Sequence, residues 1–334
     1  MILPFFIGTY TSPTGSQGIY QSTLNLKTGE LTTPILAAKT PNPSYLAISP
    51  TQPILYCANE TASGGVTSFS IGPENQLTNP TEFKITGGGP CFLSLNPYGS
   101  QIFTASYGTG DFNSFNTSGP ALWHHNNNSA EQPASRAHCI KLHPTLPFAY
   151  ATDLGRNQIL TWIIRDGIPQ ALQTHILKSG SPRHFVFSKS GQTLYVNSEH
   201  SSTVTALKIN SSTGELTELQ TLTAIDPKNS TKNTTAEILL HPTGNFLYVS
   251  NRGQNSIATY KIKLDESLEG PTLTPTEADT IRGLAIDPTG TYLLAAGQQN
   301  NLIISLKINP ETGIPTPTTH KITVSKPVHM LFAR

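Results

Sequence analysis

One phrase recurs along this 334-residue chain and limits what it can fold into. A short alternating apolar strand runs into Pro-x-Gly or a variant of it, and a second strand follows that ends on a polar residue. Leu46-Ala47-Ile48-Ser49-Pro50 leads to Leu55-Tyr56-Cys57-Ala58-Asn59-Glu60, and Leu239-Leu240-His241-Pro242-Thr243-Gly244 leads to Leu247-Tyr248-Val249-Ser250-Asn251-Arg252. The turn residues fall at positions 50, 97, 144, 189, 242 and 288, at intervals of 47, 47, 45, 53 and 46. A period of about 40–50 residues is that of a four-stranded propeller blade. It is too long for a β-helix and too regular for a string of sandwiches. The long interval holds a polar insert, residues 226–233, expected as a surface loop.

The phase at the two ends predicts closure. Val328-His329-Met330-Leu331-Phe332 matches the first strand of the phrase, and Phe5-Phe6-Ile7-Gly8-Thr9-Tyr10 matches the second. Two half repeats make a seventh, and sharing it pairs both free edges. The expected fold is therefore all-β: a seven-bladed β-propeller of four-stranded blades, one domain over residues 1–334, its closing blade shared by N- and C-terminal strands.

Composition agrees and narrows the function. Charged residues are only 12%, while Gly and Pro number 26 each, which suits many short strands joined by tight turns. A formal charge of +1 supplies no field for nucleic acid or an anionic membrane, so neither is an expected partner. No apolar run reaches membrane-spanning length, and residues 1–7 lack the basic segment of a signal peptide. Cys57, Cys91 and Cys139 are odd in number and include no C-x-x-C pair, which predicts reduced, buried thiols and no zinc. A cytoplasmic monomer is expected.

In a propeller the first strand of each blade lines the channel and the second runs back antiparallel. The Pro-Thr-Gly turns then share one rim. The starts of the first strands and the ends of the second strands share the other. That mouth collects Tyr45, Phe92, His138, Arg183-His184, Glu237 and Arg282 from the first set. From the second come Tyr10, Glu60, Tyr107, Asp153, Glu199, Arg252 and Gln298. Mixed charge converging on a concave mouth is the pattern of a ligand site. The opposite rim is expected to carry turn chemistry only. His184 follows Arg183 on an alternating strand and is expected to face away into packing. His124-His125, in an Asn-rich stretch, is expected to be a solvated loop.

Several of these segments together resemble the propeller lactonase family, which includes bacterial 6-phosphogluconolactonase of the propeller type and fungal carboxymuconate cyclase. They are Gly8-Thr9-Tyr10-Thr11-Ser12, Asn42-Pro43-Ser44-Tyr45-Leu46, Gly89-Pro90-Cys91, Asp153-Leu154-Gly155, Ser181-Pro182-Arg183-His184, Ala236-Glu237-Ile238 and Val249-Ser250-Asn251-Arg252-Gly253. The similarity runs through the whole chain in order. It implies a catalytic set of His138, Arg183, Glu199 and Arg252, all four already in the mouth rings. Tyr107, Asp153, Glu237 and Arg282 complete the expected substrate contacts. The chain departs from the family pattern at Arg136 and Phe92, where histidine is usual, and at Ser106, Ser198 and Gly297, where asparagine is. Asp153, Glu60 and Glu237 could in principle ligate calcium, but the resemblance is to a metal-free family, so neither metal nor cofactor is expected.

The implied reaction is hydrolysis of a sugar lactone, 6-phospho-D-glucono-1,5-lactone above all. His138 would act as general base, and Glu199 would orient it or serve instead. Arg183 and Arg252 would stabilise the oxyanion or grip a phosphate. No Gly-x-Ser-x-Gly elbow points to a serine nucleophile. A muconate-type cyclase, with the arginines holding a carboxylate, and a non-catalytic binding propeller remain as alternatives.

Overall fold

The computed structural model describes residues 1–130 and 134–333. Among them the strands form seven antiparallel four-stranded sheets. The inner strands are Pro43–Ile48, Pro90–Leu95, Ala137–Leu142, Pro182–Phe187, Thr234–Leu240, Ile281–Ile286 and Pro327–Phe332, and each packs against the next around a closed circuit. In the closing sheet, Pro327–Phe332 pairs with Ile2–Thr9, which pairs with Gly18–Asn25 and then Ile35–Lys39. One C-terminal strand thus completes three N-terminal ones, in the phase the sequence predicts.

The core lies between blades. Phe5, Ile7 and Leu24 of the closing blade pack against Leu294 and Ile303 of the blade before it. Burying each such side chain stabilises the fold by about 1.5–3 kcal/mol. Polar tips tie the blades as well. The buried Tyr150, Tyr195 and Tyr248 each donate a hydroxyl to a turn carbonyl of the next blade, on Gly214, Glu266 and Gly313, at 3.0, 2.8 and 2.7 Å.

The repeated turn glycine has a backbone reason. Gly99, Gly191, Gly244 and Gly290 sit at φ of +66° to +84°, and each donates its N–H three residues back. A β-carbon in that conformation costs about 1–2 kcal/mol. The polar insert at 226–233 is an exposed loop, as expected.

His124-His125 is not a loop. Both residues lie in the outer strand Ala121–Asn126. His124 meets Asp111 at 2.7 Å, while His125 stacks between Trp123 and Phe112. The asparagines that suggest a loop finish the strand: Asn126 donates to Asp111 and Asn128 to Thr109, both at 2.7 Å.

Candidate active site

Every inner strand carries a register shift at the same place, near its start. Between Pro43 and Tyr45, Pro90 and Phe92, Ala137 and Cys139, Pro182 and Phe185, Thr235 and Ile238, Ile281 and Gly283, and across from Gly8/Thr9, the inner strand carries one residue more than its neighbour. Such a bulge breaks the period-two alternation and re-aims side chains. Arg183 and His184 consequently both address the channel, which corrects the expectation that His184 turns away into packing.

The bulges build two layers. In the upper layer, Glu199 Oε2 lies 3.0 Å from Arg183 Nε and 3.0 Å from Arg252 Nη2. The Arg183 Nε–H is not aligned on that oxygen as a hydrogen bond, so this contact is chiefly ionic. Arg183 also donates Nη1 to the Ala236 carbonyl, and Arg252 donates Nη2 to the Thr235 carbonyl at 2.9 Å. The first bond ties Arg183 to the neighbouring blade, and the second fixes Arg252 to the inner strand of its own. Burial raises the Glu199 carboxyl, but Arg183 and Arg252 outweigh it and hold the group below its ordinary range, as an anion. Burial, with Arg183 beside it, lowers Arg252 to about 10, still cationic near neutrality.

Across the mouth, Tyr10 donates to Glu60 Oε2 at 2.7 Å, and Arg282 lies 5.1 Å over the Tyr10 ring and 3.8 Å from Glu60. His138 sits edge-on to Tyr107 at 5.7 Å and to His184 at 4.9 Å. Burial, then the charges of Arg183, His184 and Arg282, hold His138 well below the usual imidazole range, so it is neutral. A depression of about 400 Å³ opens at the same rim, lined by Glu60, Tyr107, Gly88 and Gly89 among others. Arg136 borders it, with its guanidinium 5.2 Å over the Tyr107 ring.

One layer deeper the channel narrows to a waist. The rings of Tyr45, Phe92, His184 and His329 lie 4.0–5.7 Å apart, and His184 Nδ1 is 3.0 Å from Glu237 Oε1. Burial lowers His184 and raises Glu237. The two side chains are joined by a buried hydrogen bond.

Residues 4–332 match the family described as lactonase, 7-bladed beta-propeller. The chain belongs to this lactonase family. A 6-phosphogluconolactonase of Bacillus subtilis (strain 168) is 31% identical over 278 residues, covering 77% of each chain. A Bacteroides fragilis structure provisionally designated a 6-phosphogluconolactonase is 29% identical, with a TM-score of 0.88 over 100% of this chain and 98% of that one. The periplasmic gluconolactonase of Pseudomonas aeruginosa superposes with a TM-score of 0.92 over 100% of this chain and 99% of that one, but at 24% identity it speaks for the fold alone. Among the described residues of this lactonase, no helix is long and apolar enough to cross a membrane.

The lactonase brings together His138, Arg183, Glu199, Arg252, Tyr107 and Arg282 at one mouth. Glu237 belongs to the waist below, where it bonds His184 and feels the charge of Arg183 above. Asp153 does not face the mouth. It is fully buried and accepts hydrogen bonds from Asn127, Ser135 and the Arg136 and Arg156 amides at 2.6–3.1 Å. Asn59 and Asn251 hold the same place in their blades and brace the loops before the inner strands in the same way. In four other blades the mouth residue is the next one along: Glu60, Tyr107, Glu199 and Arg252. Counting Asp153 in the ring is a slip of one residue, and in a strand one residue reverses the face.

His329 was absent from the expected ring, although it holds the position of His184 and Glu237 in the closing blade. Its phase was the available signal, five residues before where the next turn would fall. Burial takes His329 down to about 4, and His138 and His184 also lie below their ordinary values. A depressed histidine adds stability that is present above its unfolded value, about 6.5, and is lost as pH falls toward the folded one. Glu237, raised by burial, works in the opposite sense, but three histidines oppose it. Urea unfolding should therefore show stability falling steadily from pH 6.5 to pH 4. A His329→Asn, His184→Asn double variant should flatten that slope.

Proposed function

We propose that this lactonase hydrolyses 6-phospho-D-glucono-1,5-lactone to 6-phosphogluconate, as a cytoplasmic monomer. The observation that carries the reading is the upper layer itself. Arg183, Arg252 and Arg282 face Glu199 and Glu60 around a neutral His138, leaving one guanidinium in excess for an anionic substrate. Cys57, Cys91 and Cys139 are buried free thiols, which suits a reducing compartment.

In this reading Arg282, with Arg136 at the rim, takes the phosphate, and Tyr107 lies under the sugar. Water attacks the lactone carbonyl and gives its proton to the neutral His138 imidazole. The oxyanion forms between the Arg183 and Arg252 guanidiniums, whose charge is already oriented by Glu199. Collapse breaks the bond from the carbonyl carbon to the ring oxygen, and the His138 imidazolium returns the proton to that oxygen. Glu199, held as an anion between two arginines, is the orienting group.

The test is hydrolysis of 6-phospho-δ-gluconolactone at pH 6–7 against its spontaneous background, with unphosphorylated gluconolactone and a muconolactone in parallel. His138→Gln is expected to lower kcat by about 10²-fold with KM little changed. No enzymatic rate above background would sink the reading. Preference for the muconolactone would replace the substrate but keep the site.

A further inference from the structure

Below the waist the channel does not fill. A cavity of about 650 Å³ runs from Tyr45, Phe92 and His329 to the turn rim at Pro50, Pro97, Pro242 and Pro288. This departs from the expectation that the turn rim carries turn chemistry alone. The reason is side-chain size. The inner strands place Ala47, Ser94, Ala285, Leu239 and Leu331 along this half, where the waist has aromatic rings and the mouth has arginines.

The wall is mainly apolar and holds one cation. Lys141 reaches into the same cavity, with Nζ 5.5 Å from the centroids of the Phe92 and Phe185 rings and donating to the Phe185 carbonyl at 2.8 Å. Among the described residues, no carboxylate lies within ion-pair distance of it. Glu237, whose carboxyl feels the Lys141 charge, is turned to His184 and raised by burial. The volume lies within the range of about 300–1,000 Å³ in which small molecules bind. A sugar would leave its hydroxyls without partners against these aliphatic walls.

We propose that this half of the channel is a second ligand site, distinct from the lactone mouth, for a small amphiphilic carboxylate. Its anionic head meets the Lys141 ammonium beside the Phe92 and Phe185 faces, and its aliphatic body lies along Ala47, Leu239, Ala285 and Leu331. The waist of interlocked rings separates the head from His138 and the arginines above. The proposal is independent of which lactone the mouth accepts.

Calorimetric titration of the whole protein with octanoate at pH 7.5 tests this, with octanol and acetate as comparators. Saturable binding of octanoate near one equivalent is expected, with octanol at least tenfold weaker and acetate silent. Lys141→Met should weaken octanoate at least tenfold while leaving lactone hydrolysis at the wild-type rate. Ala47→Phe, which fills the cavity without touching the cation, should abolish binding. The proposal is overturned if octanoate fails to saturate, if octanol binds as well, or if Lys141→Met and Ala47→Phe both bind octanoate like the wild type.

Discussion

Arg183→Met is expected to lower kcat for lactone hydrolysis by about 10²–10³-fold, the usual loss when one preorganised oxyanion donor is removed. Arg183 is held on three sides, by Glu199, the Ala236 carbonyl and His184. Its charge is thus fixed before substrate arrives, and methionine keeps the bulk while removing the charge. The same change leaves Glu199 with Arg252 alone, so stability should fall by about 2–3 kcal/mol, below the 3–5 kcal/mol typical of a fully buried pair because Glu199 keeps one partner. Glu199→Gln provides the control. In the double variant stability should recover in part, because no half-paired carboxylate remains, while activity should stay low. Stopped-flow hydrolysis and urea unfolding on the four proteins separate the two effects. Wild-type kcat in Arg183→Met would remove Arg183 from the catalytic set. A rise in KM alone would assign it to phosphate binding.

Truncation after Ser325 should abolish cooperative folding. The lost strand Pro327–Phe332 carries Val328, Met330 and Phe332 into the core and pairs with Ile2–Thr9. At about 1.5–3 kcal/mol for each buried side chain, the loss is about 5–9 kcal/mol. That approaches the entire stability of an ordinary domain, about 5–15 kcal/mol. The ring would also open, leaving Ile2–Thr9 as an unpaired edge and the inner strand Ile281–Ile286 without one of its two inner-strand neighbours. Circular dichroism melts should show no sharp transition and the product should aggregate. A synthetic peptide of residues 325–333 added during refolding should restore a cooperative melt. A truncated chain melting at the wild-type temperature would mean that closure contributes little.

The fold was legible because its determinants are local and repeated. Each Pro-x-Gly turn needs a left-handed glycine, each blade needs alternating apolar strands, and six copies leave little freedom for the seventh. The phase of Val328–Phe332 against Phe5–Tyr10 was enough to predict a blade completed from both ends. The same phase placed His138, Arg183, Glu199 and Arg252 at one rim, because the rim depends only on which end of a strand a residue occupies.

What phase could not resolve was the face and the depth. The bulges are a property of strand pairing, since an unpaired residue is defined by its neighbour's register and not by its own type. They turned His184 inward beside Arg183, and a one-residue difference in register made Asp153 a loop brace while Glu60 and Glu199 reached the mouth. Depth likewise came from packing across the channel. Tyr45, Phe92, His184 and His329 sit hundreds of residues apart in part, yet their rings meet at 4.0–5.7 Å and close the waist. The chain's own order of residues thus settles the seven blades and the rim that carries the charge. The divided channel, with a charged mouth above and an apolar cavity around Lys141 below, exists only once seven inner strands stand side by side, because its walls are made by contacts that no single blade contains.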